Sequence, residues 1–479
     1  MCGIIGGVAN KDITPLLLDG LKRLEYRGYD SSGLSVLSKK NTFERARSVG
    51  KVANLANNLE VRVNKISGKI GIAHTRWATH GVPSVDNAHP HISMDCVSLV
   101  HNGIIENFEE LRNQLSKNGY IFTSQTDSEV IAHAIDYAMK SCNSFVRSVQ
   151  LAVEDFSGSF GLGIISSKYP DQMIAVRKGS PLVIGLGKDA NYIASDQVAL
   201  LSVTQKFIFL EEGDIAEIKI DNITIYDSDC NVVNRPIKIS KLRLGESDLG
   251  DYDHFMQKEI FEQPQAIRDT LESRIANDSV VISAFGKEAR EIFYKTKQIQ
   301  IIACGSSFNA GLVAQYWLED IAKISCNVEV ASEYRYRRPV ILNHTLFVFL
   351  SQSGETADTV EALKIAKQTK NKIYTLSITN TPESSLTRLS DLTFLTHAGL
   401  EIGVASTKAF TTQLVALALL TCSFGKIKKT VNQVQEKGII SGFKRLPGLV
   451  NDALMQEKQI KKLAKRFKDK KSTLFLGRG

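Results

Sequence analysis

Along the first half of the chain, short apolar runs alternate with turns of glycine, asparagine and aspartate. CGIIGGVA, GLSVL, KIGIAHTRW, CVSLVHNGII, GSFGLGIIS, QMIAVRKGSPLVIGL and NYIASD are the principal runs. Their length and β-branched content predict strands. Apolar positions at helical spacing interrupt them at residues 13–24, 107–118 and 128–137, with Asp127 and Ser128 as N-cap candidates for the last. Many strands with segregated helices predict an α+β domain over residues 2–240, its stacked β-sheets lying between helices.

The texture changes near residue 240. KISKLRLGESDLGDY is polar and turn-rich, and a linker is expected at residues 241–252. Helical segments at 254–262, 264–273, 310–320, 356–369 and 407–423 then alternate with apolar strands at 300–303, 326–330, 345–350, 372–377 and 391–395. This alternation predicts an α/β domain over residues 253–430, with a parallel sheet covered on both faces. Such sheets bind ligands beyond the carboxyl ends of their strands. Two loops rich in glycine and serine fall there, CGSS at 304–307 and SQSGET at 351–356. Residues 431–479 read as a connector with a basic amphipathic helix at 456–471 and a closing LFLGRG. That last pattern, a strand entering a glycine turn, predicts the beginning of a further, incomplete domain.

Composition changes this picture little. A chain of 479 residues with 43% hydrophobic and 23% charged residues is globular. The net charge of +8 is mild and, outside residues 456–471, dispersed. That argues against a nucleic-acid interface and leaves room for an anionic small molecule. Seven cysteines without a close CxxC pair, and no signal peptide before Cys2, predict reduced thiols and a cytoplasmic location. No apolar run approaches the roughly 20 residues of a membrane span. His74, His89, His91 and His101 lack the cysteine or carboxylate partners of a metal set, so no metal is expected, and no cofactor.

Chemistry enters at Cys2. Removal of Met1 exposes its α-amine, whose ordinary pKa of about 8 suits general-base work at neutral pH. The thiolate is a strong nucleophile. Arg76 in GIAHTRWATHG can fork an α-carboxylate, and Asp127 in SQTDSEV can hold an α-ammonium. Asn102 and Gly103 in VHNGIIEN can donate to a developing oxyanion. Together these groups serve attack on the side-chain amide of glutamine. Singly they also read as a strand cysteine, a surface arginine, a helix-capping aspartate and an Asn–Gly turn. Ser306, Ser307, Ser351, Gln352, Ser353 and Thr356 supply short donors for a phosphate, or else simply serine-rich turns. Neither loop carries GxGxxG or a P-loop lysine.

CGIIGG, LKRLEYRGYDSSGL, GIAHTRWATHG, HNGIIEN and TDSEV resemble the glutaminase domain of N-terminal-nucleophile (Ntn) amidotransferases, most nearly the glutamine–fructose-6-phosphate aminotransferase family. DHFMQKEIFEQP, ACGSS, FLSQSGETADT and EIGVASTKAFTTQ resemble the sugar isomerase (SIS) domain of the same family. The resemblance implies an Ntn domain followed by a SIS domain. It makes Cys2 the nucleophile with its own amine as base, and Asn102 and Gly103 the oxyanion hole. It makes Arg76, Trp77, Thr79, His80 and Asp127 glutamine-binding, with Trp77 tied to closure of the ammonia path. The serine-rich set becomes the sugar-phosphate site, with Val404 and Ala405 as its wall. Ser306 stands where the family commonly has threonine, and Leu400 where a threonine is expected. The implied substrates are L-glutamine and D-fructose 6-phosphate, and the implied assembly is a homodimer through SIS domains, without nucleic acid or membrane. The family has two SIS domains and places its isomerase residues in the second, of which only the start is expected here. A standalone glutaminase with a sugar-phosphate-binding module, or an inactive truncated product, stays open beside the synthase. The SQSGETADT segment argues against a phosphoribosyl-pyrophosphate amidotransferase, and the missing SGGxDS-type loop against an asparagine synthetase.

Overall fold

The strand Gly3–Ala9 is buried on both faces because it lies inside a stack of sheets and helices. Ile4 and Val8 enter a cluster with Ile72, Ile184 and Ile193 from their own sheet and Val100, Ile165 and Met173 from a second. Helix Thr14–Leu24 packs on the strand's other face. The computed structural model describes residues 2–25, 28–62, 65–78, 81–240, 249–276, 278–474 and 476–477. The chain divides into two compact units, Met1–Asp248 and Leu249–Gly479.

In the first unit, an eight-stranded antiparallel sheet runs Ile237–Ile239, Lys206–Phe209, Val183–Leu186, Ala190–Ala194, Gly3–Ala9, Ile70–Arg76, Ser31–Leu37, Phe43–Val49. A seven-stranded antiparallel sheet runs Val232–Val233, Ile223–Tyr226, Ile215–Lys219, Tyr169–Lys178, Gly158–Ser166, Val97–Ile105, His91–Ser93. Alternate residues of the second sheet serve two cores, as a period of two requires. Val100, Ile165 and Met173 face the first sheet, whereas Leu99, Ile164 and Ile174 pack with Leu111, Val130, Ile131 and Phe145 of the outer helices. The result is four layers, with helices outside two stacked sheets. Helices Val52–Glu60 and Phe145–Glu154 add to the three that periodicity predicts.

The second unit holds a five-stranded parallel sheet in the order Ser325–Val330, Gln298–Ala303, Thr345–Ser351, Ile373–Thr379, Leu392–Leu395. Both faces are covered. Leu346, Val348 and Leu350 enter one core and Phe347 and Phe349 the other, which is why TLFVFLS is apolar throughout.

Several elements depart from the sequence reading. Segments 254–262 and 264–273 form one helix, Phe255–Leu271, with Pro264 inside it. Pro264 has no N–H for the Ile260 carbonyl, and the side-chain amide of Gln263 donates to that oxygen at 2.9 Å instead. The helix expected from residue 310 begins at Gly305, because its exposed first turn carries no apolar pattern. Helix Lys408–Ile427 is long and apolar enough to cross a membrane, contrary to the expectation that no run is. Its Val415, Leu419, Leu420 and Phe424 sit in the core of the unit, so burial inside the protein accounts for the composition. The expected closing strand is not found among the described residues. Leu474 and Leu476 are 81% and 86% exposed, and among the described residues no strand pairs with them to supply a ladder. The expected linker falls largely on residues 241–248, outside the described residues.

Candidate active site

The site in the first unit forms where three core rows run out of apolar residues at the same level. Gly3 pairs with Thr75, which sets Cys2 beside the end of strand Ile70–Arg76. On that strand the inward positions Ile70 and Ile72 are followed by His74 and Arg76. On the facing sheet Val100 is followed by Asn102. The period-two rule that builds the core therefore delivers polar side chains from both sheets to one end of it.

Cys2 is half-buried, and its Sγ accepts the Trp77 backbone N–H at 3.2 Å. The Asn102 amide Nδ2 donates to the Cys2 carbonyl at 2.9 Å. Burial pushes the Cys2 thiol up, while the Trp77 N–H and the Arg76 charge pull it down and Asp127 raises it further. The thiol is thus neutral near pH 7 and needs a base to become nucleophilic. Arg76 is buried at the strand end, with Nη2 donating to the Gly81 carbonyl at 3.3 Å, and it feels the charges of Cys2 and Asp127. Asp127 stands at the N-cap position of helix Ser128–Ala138 but makes no capping bond. Its Oδ2 instead accepts the Ile105 N–H at 2.8 Å, which turns the carboxylate towards the strand carrying Asn102. Trp77 is 37% exposed and meets Tyr29 edge-on at 5.6 Å. Thr79 and His80 lie outside the described residues.

Gly103 has φ 134°, and a Cβ there would lie 1.9 Å from the Ser159 carbonyl oxygen. Only glycine fits this approach of two strands beside Asn102. Gly28 is equally constrained, since its Cβ would meet the Arg76–Trp77 peptide at 2.6–2.9 Å.

Behind Asn102 lie buried histidines. His74 Nε2 is 3.0 Å from both Asn102 Oδ1 and the His101 carbonyl, and its ring stacks on His89 at 4.1 Å. Burial holds His74 down to about 3, and pushes His89 and His91 well below the ordinary histidine value of 6.5. Each binds fewer protons folded than unfolded between those limits. Stability is therefore full above pH 6.5 and falls as pH drops towards the folded values. The slope approaches about 1.4 kcal/mol per pH unit for each histidine. Denaturant titrations of the whole chain at pH 7, 6 and 5 are expected to show this loss steepening. A flat profile would contradict neutral burial of the three rings.

In the second unit, Ala303 pairs in register with Leu350. The 304–307 and 351–356 loops thus leave adjacent strands at one level, where connections depart in opposite directions along the sheet. Ser306 and Ser307 occupy the first turn of helix Gly305–Asp320, rather than a loop. Ser351 Oγ lies 2.9 Å from Thr356 Oγ1 and accepts the Gly354 N–H at 3.0 Å, while Ser353 Oγ accepts the Glu355 N–H at 3.2 Å. Gln352 is half-buried, and its carbonyl accepts the Asn380 N–H at 3.0 Å. Such turns at helix starts present N–H groups to an anion. Val404 and Ala405 are exposed in the segment before helix Lys408–Ile427.

Asn380 escaped the sequence reading. Its N–H holds Gln352, its Oδ1 accepts the Ala398 N–H at 2.7 Å, and its Nδ2 donates to the Gly399 carbonyl at 2.6 Å. It thereby ties the serine loop to the segment leading to Val404. The segment is also pinned by Glu259, which accepts the Ile402 and Gly403 N–H groups, and by Glu401, which accepts those of Thr407 and Ala409. Lys408 is buried and ion-paired with Glu262 at 2.6 Å. No sequence signal marks the Asn380, Glu259 and Lys408 pairings, because their partners are far apart along the chain.

A glutamine amidotransferase domain model matches residues 74–202, and a SIS domain model matches residues 292–423. Over all 479 residues the chain is 52% identical to a glutamine–fructose-6-phosphate aminotransferase (isomerizing) of Pseudomonas putida, covering 78% of that protein. It is 50% identical to the enzyme of the same name from Haemophilus influenzae, again over its whole length and 78% of the relative. Among solved structures, the C-terminal domain of glucosamine-fructose-6-phosphate aminotransferase from Francisella tularensis is 48% identical over 48% of this chain and 64% of that one, with a TM-score of 0.47. With that identity sustained over its whole length, the chain belongs to the glutamine–fructose-6-phosphate aminotransferase (isomerizing) family.

Proposed function

We propose that the chain forms D-glucosamine 6-phosphate and L-glutamate from D-fructose 6-phosphate and L-glutamine. The observation that carries this reading is the convergence of Cys2, Arg76, Asn102 and Asp127 at one end of the stacked sheets. With Met1 removed, the Cys2 amine takes the thiol proton and the thiolate attacks the side-chain amide carbon of glutamine. Asn102 Nδ2 and the Gly103 N–H hold the oxyanion. The Cys2 ammonium returns that proton to the amide nitrogen, so collapse releases ammonia and leaves a γ-glutamyl thioester, which water cleaves to glutamate and the free thiol. Arg76 forks the α-carboxylate, Asp127 holds the α-ammonium, and Trp77 lines the exit for ammonia.

Fructose 6-phosphate is assigned to the second unit, on Ser306, Ser307, Ser351, Gln352, Ser353 and Thr356, with Val404 and Ala405 as wall. The domains are placed at residues 2–240 and 253–430, with residues 431–479 leading towards a further SIS domain. No described residue is assigned the proton transfer between C1 and C2. Lys408, buried against Glu262, is a structural cation. A homodimer through SIS domains, in the cytoplasm and without membrane or nucleic acid, completes the reading.

A paired assay on protein freed of Met1 tests it, following glutamate and glucosamine 6-phosphate with and without fructose 6-phosphate. Matched amounts of both products would uphold this reading and place the proton transfer between C1 and C2 on residues not assigned here. Glutamate alone would replace this reading with a standalone glutaminase, and no glutamate would overturn it. Asn380→Ala removes the three side-chain hydrogen bonds that join Asn380 to the 396–399 segment and keeps its backbone bond to Gln352. It is expected to weaken fructose 6-phosphate binding about tenfold, by the 1–3 kcal/mol of unpaired polar groups, with glutamate release in the absence of sugar unchanged. Calorimetric titration with the sugar phosphate checks this, and unaltered affinity would remove Asn380 from the site.

A further inference from the structure

Asn102 can work as an oxyanion donor in only one of its two amide orientations. Its nitrogen and oxygen are nearly the same size, and a half-turn of the amide exchanges them. With the nitrogen towards Cys2, the amide donates to the Cys2 carbonyl at 2.9 Å and keeps a second N–H on the same nitrogen for a substrate oxygen. With the oxygen there, two acceptors would face each other, and a developing oxyanion would meet a lone pair instead of a proton.

His74 decides between them. Its Nε2 lies 3.0 Å from Asn102 Oδ1 and 3.0 Å from the His101 carbonyl. Both of those atoms only accept, so Nε2 must carry the proton. A flipped Asn102 would press its NH2 against that N–H. The ring cannot easily turn away, because it is buried, stacked on His89 at 4.1 Å, and His89 is in turn edge-on to His91 at 4.6 Å. His89 Nδ1 faces the His101 backbone N–H at 3.3 Å, which closes the cluster onto the strand carrying Asn102. His74 sits two residues before Arg76 on the same face of its strand, so the element that brings the arginine also brings this lock.

We propose that His74 is a positioning residue for glutamine hydrolysis: its Nε2–H holds Asn102 Oδ1 and so aims the amide nitrogen at the substrate oxygen. The inference rests on the reading of Asn102 as an oxyanion donor. The hydrogen bonds of His74 Nε2 go to Asn102 and the His101 carbonyl, not to the thiol, and its effect passes through Asn102.

The test is a mutant cycle with the whole chain, reading kcat and KM for glutamate release and the rate at which iodoacetamide alkylates Cys2. Alkylation forms no oxyanion, so it reports the nucleophile apart from the oxyanion hole. Asn102→Ala is expected to lower kcat by about 10²–10³. His74→Leu, close in size but without a donor, is expected to lower kcat by about 10–100-fold, with KM and the alkylation rate each within about twofold. His74→Asn, whose amide is too short to reach Asn102, should match it and serves if the leucine variant fails to fold. His74→Gln, whose amide nitrogen can stand where Nε2 stood, should recover kcat to within about fivefold of the parent. The double variant H74L/N102A should be no slower than N102A alone, because two members of one unit do not add. Full kcat in both donor-free variants while N102A is slow would overturn the role of His74. Multiplying losses in the double variant, no recovery with glutamine, or a raised KM with slowed alkylation would overturn it too. Parent kcat in N102A would sink the oxyanion reading of Asn102 and the proposal together.

Discussion

Cys2→Ala is expected to abolish glutamate release, with a fall in kcat of at least about 10⁵-fold, while glutamine still binds. Loss of a covalent nucleophile costs this much because no other group can take over the attack. The substitution is mild structurally. Cys2 precedes strand Gly3–Ala9, whose backbone pairing with Ile70–Arg76 does not use the thiol. The Asn102 bond goes to the Cys2 carbonyl, which alanine keeps. Arg76 and Asp127, the proposed glutamine clamps, are left in place. Calorimetry should therefore show glutamine affinity within a few-fold of the parent, and fructose 6-phosphate binding unchanged. Glutamate release above about one-thousandth of the parent rate would mean that another nucleophile operates.

The second large effect is expected at Arg76. Arg76→Ala should lower kcat/KM for glutamine by about 10²–10³-fold, mostly through KM. A buried charge pair with a substrate carboxylate is worth several kcal/mol when one partner is deleted. Arg76 lies 4% exposed at the end of its strand, so a carboxylate paired with its guanidinium would be poorly screened by water. Arg76→Lys keeps the charge and loses the fork, and should fall between alanine and the parent. The check is a substrate without the α-carboxylate, 4-aminobutanamide. It should be turned over equally slowly by the parent and by Arg76→Ala if the arginine binds that carboxylate. A larger loss with the variant than with the parent would place Arg76 in a structural role.

Most of the fold was legible from local pattern. The run TLFVFLS has apolar residues on both faces and is a doubly covered parallel strand. CVSLVHNGII and GSFGLGIIS became neighbouring strands of one sheet, with Asn102 opposite Gly161. Patterning misled where a segment owed its shape to something other than an apolar stripe. The first turn of Gly305–Asp320 faces solvent, and Pro264 continues a helix because Gln263 supplies the missing donor. Helix Lys408–Ile427 is apolar enough for a membrane yet is the interior of a domain.

For the candidate site, residue chemistry offered Cys2, Arg76, Asn102, Gly103 and Asp127 as candidates, since attack on an amide asks for a nucleophile, clamps and oxyanion donors, and the family resemblance gave them those roles. It could not say which atoms meet. Asp127 passes over its cap position to accept the Ile105 N–H, 22 residues away. Cys2 takes the Trp77 N–H across 75 residues and the Asn102 amide across 100. His74 and Asn102 are 28 apart, and Asn380 draws together three segments. By itself the sequence determined which residue types were present and which face of each strand and helix would be buried, because both depend on neighbours within a turn or two of chain. Tertiary structure decided which of those residues share a site and how each side chain is aimed. Such pairings depend on which strands lie side by side and in what register, and a local pattern carries no record of either.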